Sequence, residues 1–259
     1  MAYRYLFEQM VRRELRQKYK GSALGVFWYL INPLVLMGAY YLMFGVLFKV
    51  AGPDQPHHYP LFLLVGLVVW IFFSQAVLSS APALLDHGAL IRKARFPRET
   101  IPASVVSVQL VTFLALIALL VPITIAIRGT GLALLALPLV LLCLFGFVLG
   151  FALGVSILHA YFRDVAPILS AALLPWFFLS PIFFDPATLP NLSDETGAIF
   201  VLEWLNPIAP FIVAVRDIIY GGVLPDASVL IYITVAAVVT LAGGLALFRR
   251  MQGELAVVV

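Results

Sequence analysis

Six long apolar segments separated by short polar stretches limit what this chain can fold into more than any other feature of its sequence. Each is close to or longer than the roughly 20 residues that a helix needs to cross a bilayer. Of the 259 residues, 63% are hydrophobic and 11% are charged, whereas soluble domains carry about 25% charged residues. The sequence therefore predicts an all-α, polytopic membrane protein with about six transmembrane helices. The spans are expected at residues 31–48, 60–84, 101–127, 132–161, 165–184 and 228–248.

The basic residues favour one orientation of these spans. With the N-terminus inside, thirteen of the sixteen Lys and Arg residues lie on the inner side, and only Lys49, Arg128 and Arg216 lie outside. Because loops rich in Lys and Arg stay in the cytoplasm, both termini are predicted to be cytoplasmic. Membrane sidedness also explains the net charge of +3 better than a nucleic-acid partner does.

Two regions outside the spans are also expected to be helical. Residues 3–20 place apolar side chains at helical spacing and most basic residues elsewhere, which is typical of an amphipathic helix in the membrane interface. Two apolar pieces, at 197–205 and 208–219, are too short to cross and suit re-entrant or interfacial helices. We divide the single transmembrane domain into an interfacial region (1–30), spans 1–2 (31–84), a cytoplasmic loop (85–100), spans 3–5 (101–184), an outward-facing region (185–227), span 6 (228–248) and a tail (249–259).

The polar loop at residues 86–100 reads DHGALIRKARFPRET and carries four of the basic residues. Residues 87–95 can form a short helix, which Pro97 ends because its ring removes a backbone donor. A short basic helix between two spans offers a binding site for a soluble partner. An ordinary cytoplasmic loop that obeys the positive-inside rule has the same composition, so both interpretations stay open.

The sequence lacks groups that other classes of membrane protein need. No predicted span interior carries Asp, Glu, Lys or Arg, which ion-coupled transporters use to bind the driving ion. None of the four lysines follows a glycine, so there is no Gly-Lys-Ser/Thr phosphate-binding loop, and any ATP must be used by another polypeptide. Cys143 is the only cysteine, which excludes an intrachain disulfide, and the four histidines are not spaced for a metal site.

A membrane-embedded glycolipid enzyme is the alternative to a transport protein. Ser156 and His159 lie three residues apart, yet no oxyanion donors are evident beside them, so no catalytic residue is assigned. Gly146, Gly150 and Gly154 recur every four residues and let another helix approach closely. Packing within one subunit is favoured over a dimer interface as the use of this ridge.

Aromatic residues are frequent in the first and fifth predicted spans. Aromatic faces can line a path for sugars, although packing against lipid explains each position taken alone. The candidates for such a path are Tyr40, Tyr41, Phe44, Phe48, Trp176, Phe177 and Phe178.

Four motifs occur in order along nearly the whole chain. The two more specific ones are the segment from Arg13 to Trp28, continuing into Asn32-Pro33, and the loop from Leu90 to Glu99. The two weaker ones are Tyr161-Phe-Arg-Asp164 and Asn206-Pro-Ile-Ala-Pro210 with Arg216. Together they resemble the ABC-transporter permeases that export lipid-linked polysaccharides of the O-antigen, capsule or teichoic acid type.

The resemblance implies a permease subunit that moves an undecaprenyl-diphosphate-linked glycan across the inner (plasma) membrane. The chain would be no enzyme by itself and would hold no cofactor, because ATP and Mg would be bound by a separate ATPase subunit. The assembly would contain a homodimer of this chain and two ATPase copies among membrane lipids, with no nucleic acid. An ABC permease for a drug or another lipid shares this architecture and is the close alternative.

The resemblance also implies roles for individual residues. Residues 87–95 would form the coupling helix that docks on the ATPase, residues 3–20 a gate helix at the cytoplasmic entrance, and the pieces within 185–227 outer gate helices. The basic residues expected to meet the anionic headgroup of the substrate are Arg12, Arg13, Arg16, Lys18 and Lys20. The residues assigned to coupling are His87, Leu90, Arg92, Lys93, Arg95, Phe96, Pro97 and Arg98.

Overall fold

The computed structural model describes residues 2–19, 25–47, 58–93, 96–129, 131–185 and 204–255, and all regular structure among them is helical. The prediction of an all-α membrane protein is confirmed. Short 3₁₀ or π-helical turns flank several helices, at Gly25–Phe27, Tyr41–Leu47, Leu132–Ala136, Asp217–Gly221 and Gln252–Glu254. In chain order the α-helices are α1 (Ala2–Tyr19), α2 (Trp28–Tyr40), α3 (Tyr59–Ser80), α4 (Ala83–Asp86), α5 (Gly88–Lys93), α6 (Thr100–Arg128), α7 (Leu137–Tyr161), α8 (Val165–Leu179), α9 (Ala209–Arg216) and α10 (Ala227–Met251).

Five of the described helical segments are long and apolar enough to cross a membrane, and they coincide with five of the six predicted spans. The predicted span at 165–184 differs, because its helix α8 has only 15 residues and ends before Pro181. At 1.5 Å per residue α8 is about 22 Å long, which is less than the roughly 30 Å of hydrocarbon. The five long segments are Leu30–Leu47, Tyr59–Ser80, Thr100–Ile127, Leu132–Tyr161 and Ala227–Met251.

The helices form one bundle with two distinct ends. At the end that we call the α5 end, Met10 of α1, Ile91 of α5, Ile157 of α7 and Phe248 of α10 belong to one apolar cluster. At the opposite end, the α9 end, the turn after α2 meets the start of α3, and Gly131 lies against the turn after α9. Because α7 finishes at the α5 end and the Phe183 carbonyl accepts from the Tyr59 hydroxyl at the α9 end, residues 165–183 lead from one end of the bundle to the other. Within the described residues, α8 is therefore a short traverse in addition to the five long segments.

Helix α3 occupies the centre of the bundle. It packs against α2, α6, α7, α8 and α9. In the most apolar 18-residue stretch of each span, 72% of the α3 residues are buried, against 17% for α10 and 6% for α2. A helix that is apolar on all sides suits such a position. The exposed faces of α2 and α10 are left for lipid or for other chains.

Helices α7 and α10 make the most extensive helix pair of the described structure. A Cβ atom at Gly150 would lie 2.3 Å from the carbonyl oxygen of Thr240, and one at Gly244 would lie 2.1 Å from the carbonyl oxygen of Gly150. The two backbones are therefore in direct contact, which only glycine permits here. The glycine ridge predicted from the sequence thus packs within one subunit at Gly150.

Prolines set several helix boundaries. The second predicted span ends as a helix at Ser80, and α4 starts after Pro82. Pro138 lies in the first turn of α7, where its missing N–H costs nothing, and the preceding residues form the 3₁₀ turn. The helix type therefore changes at this proline. The piece at 208–219 is confirmed as helical, whereas nearly all of the piece at 197–205 lies outside the described residues.

The direct contact between α7 and α10 predicts that Gly150→Ala destabilises the protein. The added methyl group would overlap the Thr240 carbonyl, and such overpacking costs about 1–3 kcal/mol. We expect a lower midpoint of thermal unfolding for the purified protein in detergent. Gly243→Ala is the matched control on α10, because no heavy atom lies within 4 Å of a Cβ placed there. An unchanged midpoint for Gly150→Ala would contradict this packing.

Candidate functional site

Helix α1 lies against α6 at the α5 end of the bundle and is amphipathic, as predicted. Met10 is buried at 6% exposure, while Arg12, Arg13 and Arg16 are exposed. The exposed arginines therefore present positive charge beside the membrane-spanning bundle, where anionic headgroups bind such residues. The side chain of Lys18 and the whole of Lys20 lie outside the described residues.

A contact between two side chains joins α1 to the turn that precedes α5. The Glu14 carboxylate lies 3.2 Å from His87 Nε2, and His87 Nδ1 lies 2.9 Å from the Ala83 carbonyl oxygen. Each ring nitrogen of His87 therefore faces an oxygen atom, one on α1 and one on α4. Beside the pair is a cavity of about 330 Å³, lined mainly by polar residues: Glu14, Ser79, Asp86, His87 and Gln109, with Ala83, Val105 and Val108.

Helix α5 presents two different faces. Ile91 is 5% exposed within the apolar cluster of the α5 end, and Leu90 and Phe96 pack against that cluster. The opposite face carries two exposed basic residues, Arg92 and Lys93. The short helix predicted at 87–95 is thus a packed amphipathic helix over residues 88–93, and Arg95 lies outside the described residues.

Not every residue assigned to coupling points outward. Pro97 is exposed, whereas Arg98 is half-buried and its guanidinium donates a hydrogen bond to the Gln252 carbonyl. Gln252 directly follows α10, so Arg98 connects the loop after α5 to the last span. Sequence reasoning missed this contact because the two residues are 154 positions apart.

An aromatic cluster lies between α2, α8 and the segment that follows α8. Phe183 is at its centre, with ring centroids 5.0 Å from Tyr40, 4.4 Å from Phe44 and 5.0 Å from Phe177. Phe178 joins the cluster at 5.9 Å from Phe183 and is 47% exposed. Four of the seven predicted aromatics therefore meet, around a fifth ring that the candidates did not include.

The other predicted aromatics lie elsewhere. The Tyr41 ring faces Tyr59, with a centroid separation of 6.3 Å, and Phe48 lies outside the described residues. Trp176 packs against Phe73 at 5.2 Å and donates its indole N–H to Asn206 Oδ1 over 2.8 Å. Its contacts place Trp176 in the core that holds α8 rather than in the cluster around Phe183.

Asn206 connects the end of α8 to the residues that precede α9. Its side-chain nitrogen donates to the Ser180 hydroxyl over 3.0 Å and to the Leu179 carbonyl over 3.3 Å. Its side-chain oxygen accepts from Trp176 and from the Ile208 backbone N–H. Asn206 is 7% exposed, and its full set of partners satisfies the condition for burying an amide. The Asn206-Pro-Ile-Ala-Pro210 motif was the sequence feature that pointed to it.

Arg216, at the end of α9, holds the segment that carries Phe183. Its guanidinium donates to the Pro181 carbonyl over 2.7 Å and to the Ile182 carbonyl over 3.1 Å, and it lies 3.7 Å from the centre of the Phe62 ring. The absence of a side chain at Gly66 leaves space for this guanidinium, because a Cβ atom there would lie 2.8 Å from Arg216 Nη2.

The charge of Arg216 survives its burial. Burial lowers the pKa of the guanidinium to about 10, and the nearby carboxylates of Asp185 and Asp217 act against that shift. The group therefore stays protonated at neutral pH. Removal of a buried charge from water is costly, and here hydrogen bonds and the aromatic face replace part of the lost hydration.

The contacts of Arg216 predict that Arg216→Ala lowers the free energy of unfolding by about 3 kcal/mol, because two buried carbonyl groups would lose a charged donor. Arg216→Lys should cost less but not nothing, since an ammonium group cannot reproduce the planar fork of donors. The measurement is the midpoint of thermal unfolding in detergent. Arg163→Ala, which removes an exposed arginine, is the control. Equal midpoints for Arg216→Ala and this control would refute the assigned role.

Comparison with known proteins identifies the family. The chain is 32% identical over 255 residues to the O-antigen export system permease protein RfbA of Myxococcus xanthus, covering 98% of this chain and 95% of that protein. It is 27% identical over 253 residues to RfbA of Klebsiella pneumoniae, with 96% and 93% covered. It is 26% identical over 253 residues to the polysialic acid transport protein KpsM of Escherichia coli, with 95% and 93% covered. The sequence pattern of the ABC-2 type transporters matches residues 5–220. The chain therefore belongs to the ABC-2 type transporter family and is a multi-pass membrane protein.

Proposed function

We propose that this chain is the permease subunit of an ABC exporter that moves an undecaprenyl-diphosphate-linked polysaccharide, of the O-antigen type, across the inner membrane. The observation that carries the proposal is the match over nearly the full length of both chains to a permease named for O-antigen export. The order of the helices supports it, since the interfacial helix, the short basic helix and one of the two short outer helices expected from the sequence occur as α1, α5 and α9.

The ATPase subunit is proposed to dock on the exposed face of α5. Membership of the family implies a partner ATPase, and α5 offers Arg92 and Lys93 on a helix whose other face is packed. A packed helix moves as part of the bundle, so a push on α5 is passed to the helices beneath it. In this assembly ATP and Mg are bound by the partner and not by this chain, and both termini lie in the cytoplasm.

The assembly is proposed to contain two copies of this chain. In the most apolar stretch of the first span only 6% of the residues are buried, and Leu34, Val35 and Leu42 of that segment are exposed. A second copy that covers this face would border the cluster around Phe183, where Tyr40 and Phe44 come from the same segment. Flat aromatic rings beside such an interface are suited to contact sugar units.

The diphosphate of the substrate is proposed to meet α1. Arg12, Arg13 and Arg16 are exposed along this helix, and guanidinium groups bind phosphate through paired, charge-assisted hydrogen bonds. A helix in the plane of the interface places these groups at the depth of lipid headgroups. The same geometry serves any anionic lipid, so the nature of the cargo needs a direct test.

The cargo is tested by depletion of this chain from its host. We expect the lipid-linked glycan to accumulate on the cytoplasmic side while its synthesis continues, because the polymer has lost its route outward. The measurement is the amount of glycan at the cell surface and inside the cell, with a restored copy of the chain as the control. Normal surface glycan would exclude polysaccharide as the cargo. Co-purification of an ATPase would then still support export of a drug or another lipid, and its absence would favour an enzyme that works alone.

Docking on α5 predicts that Arg92→Glu combined with Lys93→Glu weakens binding of the ATPase subunit. Both side chains are exposed, so the reversal changes the charge of the docking face and leaves the packed face intact. Loss of two opposite-charge contacts and gain of two repulsive ones should lower affinity by ten-fold or more, at roughly 1.4 kcal/mol per factor of ten. Binding is measured by co-purification from membranes. Arg128→Glu, at the far end of α6, is the control, and equal recovery of ATPase with both variants would exclude this docking face.

A further inference from the structure

The end of α10 is held by side chains from two other parts of the chain. The last carbonyl groups of an α-helix have no partner within it. Here the Tyr161 hydroxyl donates to the Met251 carbonyl, and Arg98 donates to the Gln252 carbonyl. A cation at this position also interacts favourably with the helix dipole. Tyr161 ends α7 and Arg98 lies between α5 and α6, so the two caps join α10 to three other helices.

Apolar packing fixes the same turn. Phe248 and Leu255 are both fully buried, and they belong to the cluster that contains Ile91 of α5 and Met10 of α1. Within the segment predicted as a cytoplasmic tail, Met251 and Leu255 are therefore packed at the α5 end. A movement of α5 thus acts on α10 through both hydrogen bonds and side-chain contacts.

The other end of α10 contacts the residues that precede α9. The Tyr232 hydroxyl donates to the Trp204 carbonyl over 3.0 Å, and the two rings lie 5.6 Å apart. Trp204 is two residues from Asn206, which bonds Ser180 beside the segment that carries Phe183. At 1.5 Å per residue, Tyr232 and Met251 are about 28 Å apart along the helix.

The middle of α10 is stiffened by α7. The direct backbone contact at Gly150 and Gly244 leaves no layer of side chains that could rearrange between the two helices. Helices packed in this way move as a unit, because a close-packed contact does not deform gradually. A displacement imposed at one end of α10 therefore reaches the other end.

We propose that α10 carries the motion of the α5 loop to the α9 end, and that Arg98 and Tyr161 are the positioning residues that make α10 follow that loop. This rests on the proposed function, in which the ATPase displaces α5. The loop between α5 and α6 moves with α5. Because Arg98 in this loop is hydrogen-bonded to the Gln252 carbonyl, the end of α10 moves as well. At the far end, Tyr232 shifts Trp204 and, through Asn206, the segment around Phe183.

The test follows a reporter at the α9 end in the complete transporter. The permease and its ATPase are reconstituted in lipid vesicles, with Cys143→Ala to remove the only native cysteine and Leu205→Cys as the reporter. Leu205 is 68% exposed and lies between Trp204 and Asn206. The rate of reaction with a polar maleimide is measured without nucleotide and with ATP plus vanadate. We expect the two rates to differ in the parent protein.

Arg98→Ala and Tyr161→Phe are each expected to abolish that difference while ATP hydrolysis continues. Arg98→Lys should restore it, because an ammonium group can donate to the same carbonyl. Arg250→Ala is the matched control, since Arg250 is exposed in the same turn of α10. Should Arg98→Ala fail to assemble, Tyr161→Phe still tests the proposal, because it removes a single oxygen atom.

Two results would overturn the proposal, and they differ in meaning. If Arg98→Ala and Tyr161→Phe keep the parent's nucleotide-dependent difference, α10 does not follow the α5 loop, and the proposed export function is untouched. If the parent itself shows no response to ATP in the presence of an active ATPase, the α9 end is not driven by nucleotide and the role of α10 is excluded, while the export function is decided by depletion of the chain.

Discussion

The polar backbone groups freed where helices stop inside an apolar bundle are the constraint on which the rest of this structure depends. Hydrocarbon offers no hydrogen bonds, so each freed carbonyl needs a partner from the protein itself. The residues after α8 show this most clearly. The carbonyls of Leu179, Pro181, Ile182 and Phe183 accept bonds from Asn206, Arg216 and Tyr59. Three separate parts of the chain are thereby fixed around one break.

The same requirement explains why long-range polar contacts concentrate at the two ends of the bundle. At the α5 end, Tyr161 and Arg98 satisfy the last carbonyls of α10. Between the ends, helices meet through apolar side chains and through the close approach of Gly150 and Gly244. The bundle is therefore stiff along its length and specified by hydrogen bonds at its ends, a division that suits a protein that has to pass motion from one end to the other.

Much of this arrangement was predicted from the sequence, and the predictions that were incomplete have physical reasons. The length of the apolar runs predicted five spans to within a few residues. The span at 165–184 was expected to be longer, because residues 180–184 are as apolar as the helix before them. Periodicity does not reveal that Pro181 and the side chain of Arg216 hold these residues out of helical geometry. The aromatic candidates were chosen by composition, so they missed Phe183, which is central only because the chain turns there.

The sequence by itself determined the membrane environment, the helical class, the amphipathic α1 and the short basic helix α5, because these depend on composition and on local periodicity. Only the tertiary structure decided which of the basic residues face outward. Arg92 and Lys93 are exposed, whereas Arg98 caps the last span and Arg216 is buried against Phe62. All four are arginine or lysine near a helix end, and their difference comes from carbonyl groups that lie far away in the chain. Local sequence carries no information about those partners, since the fold alone brings them together.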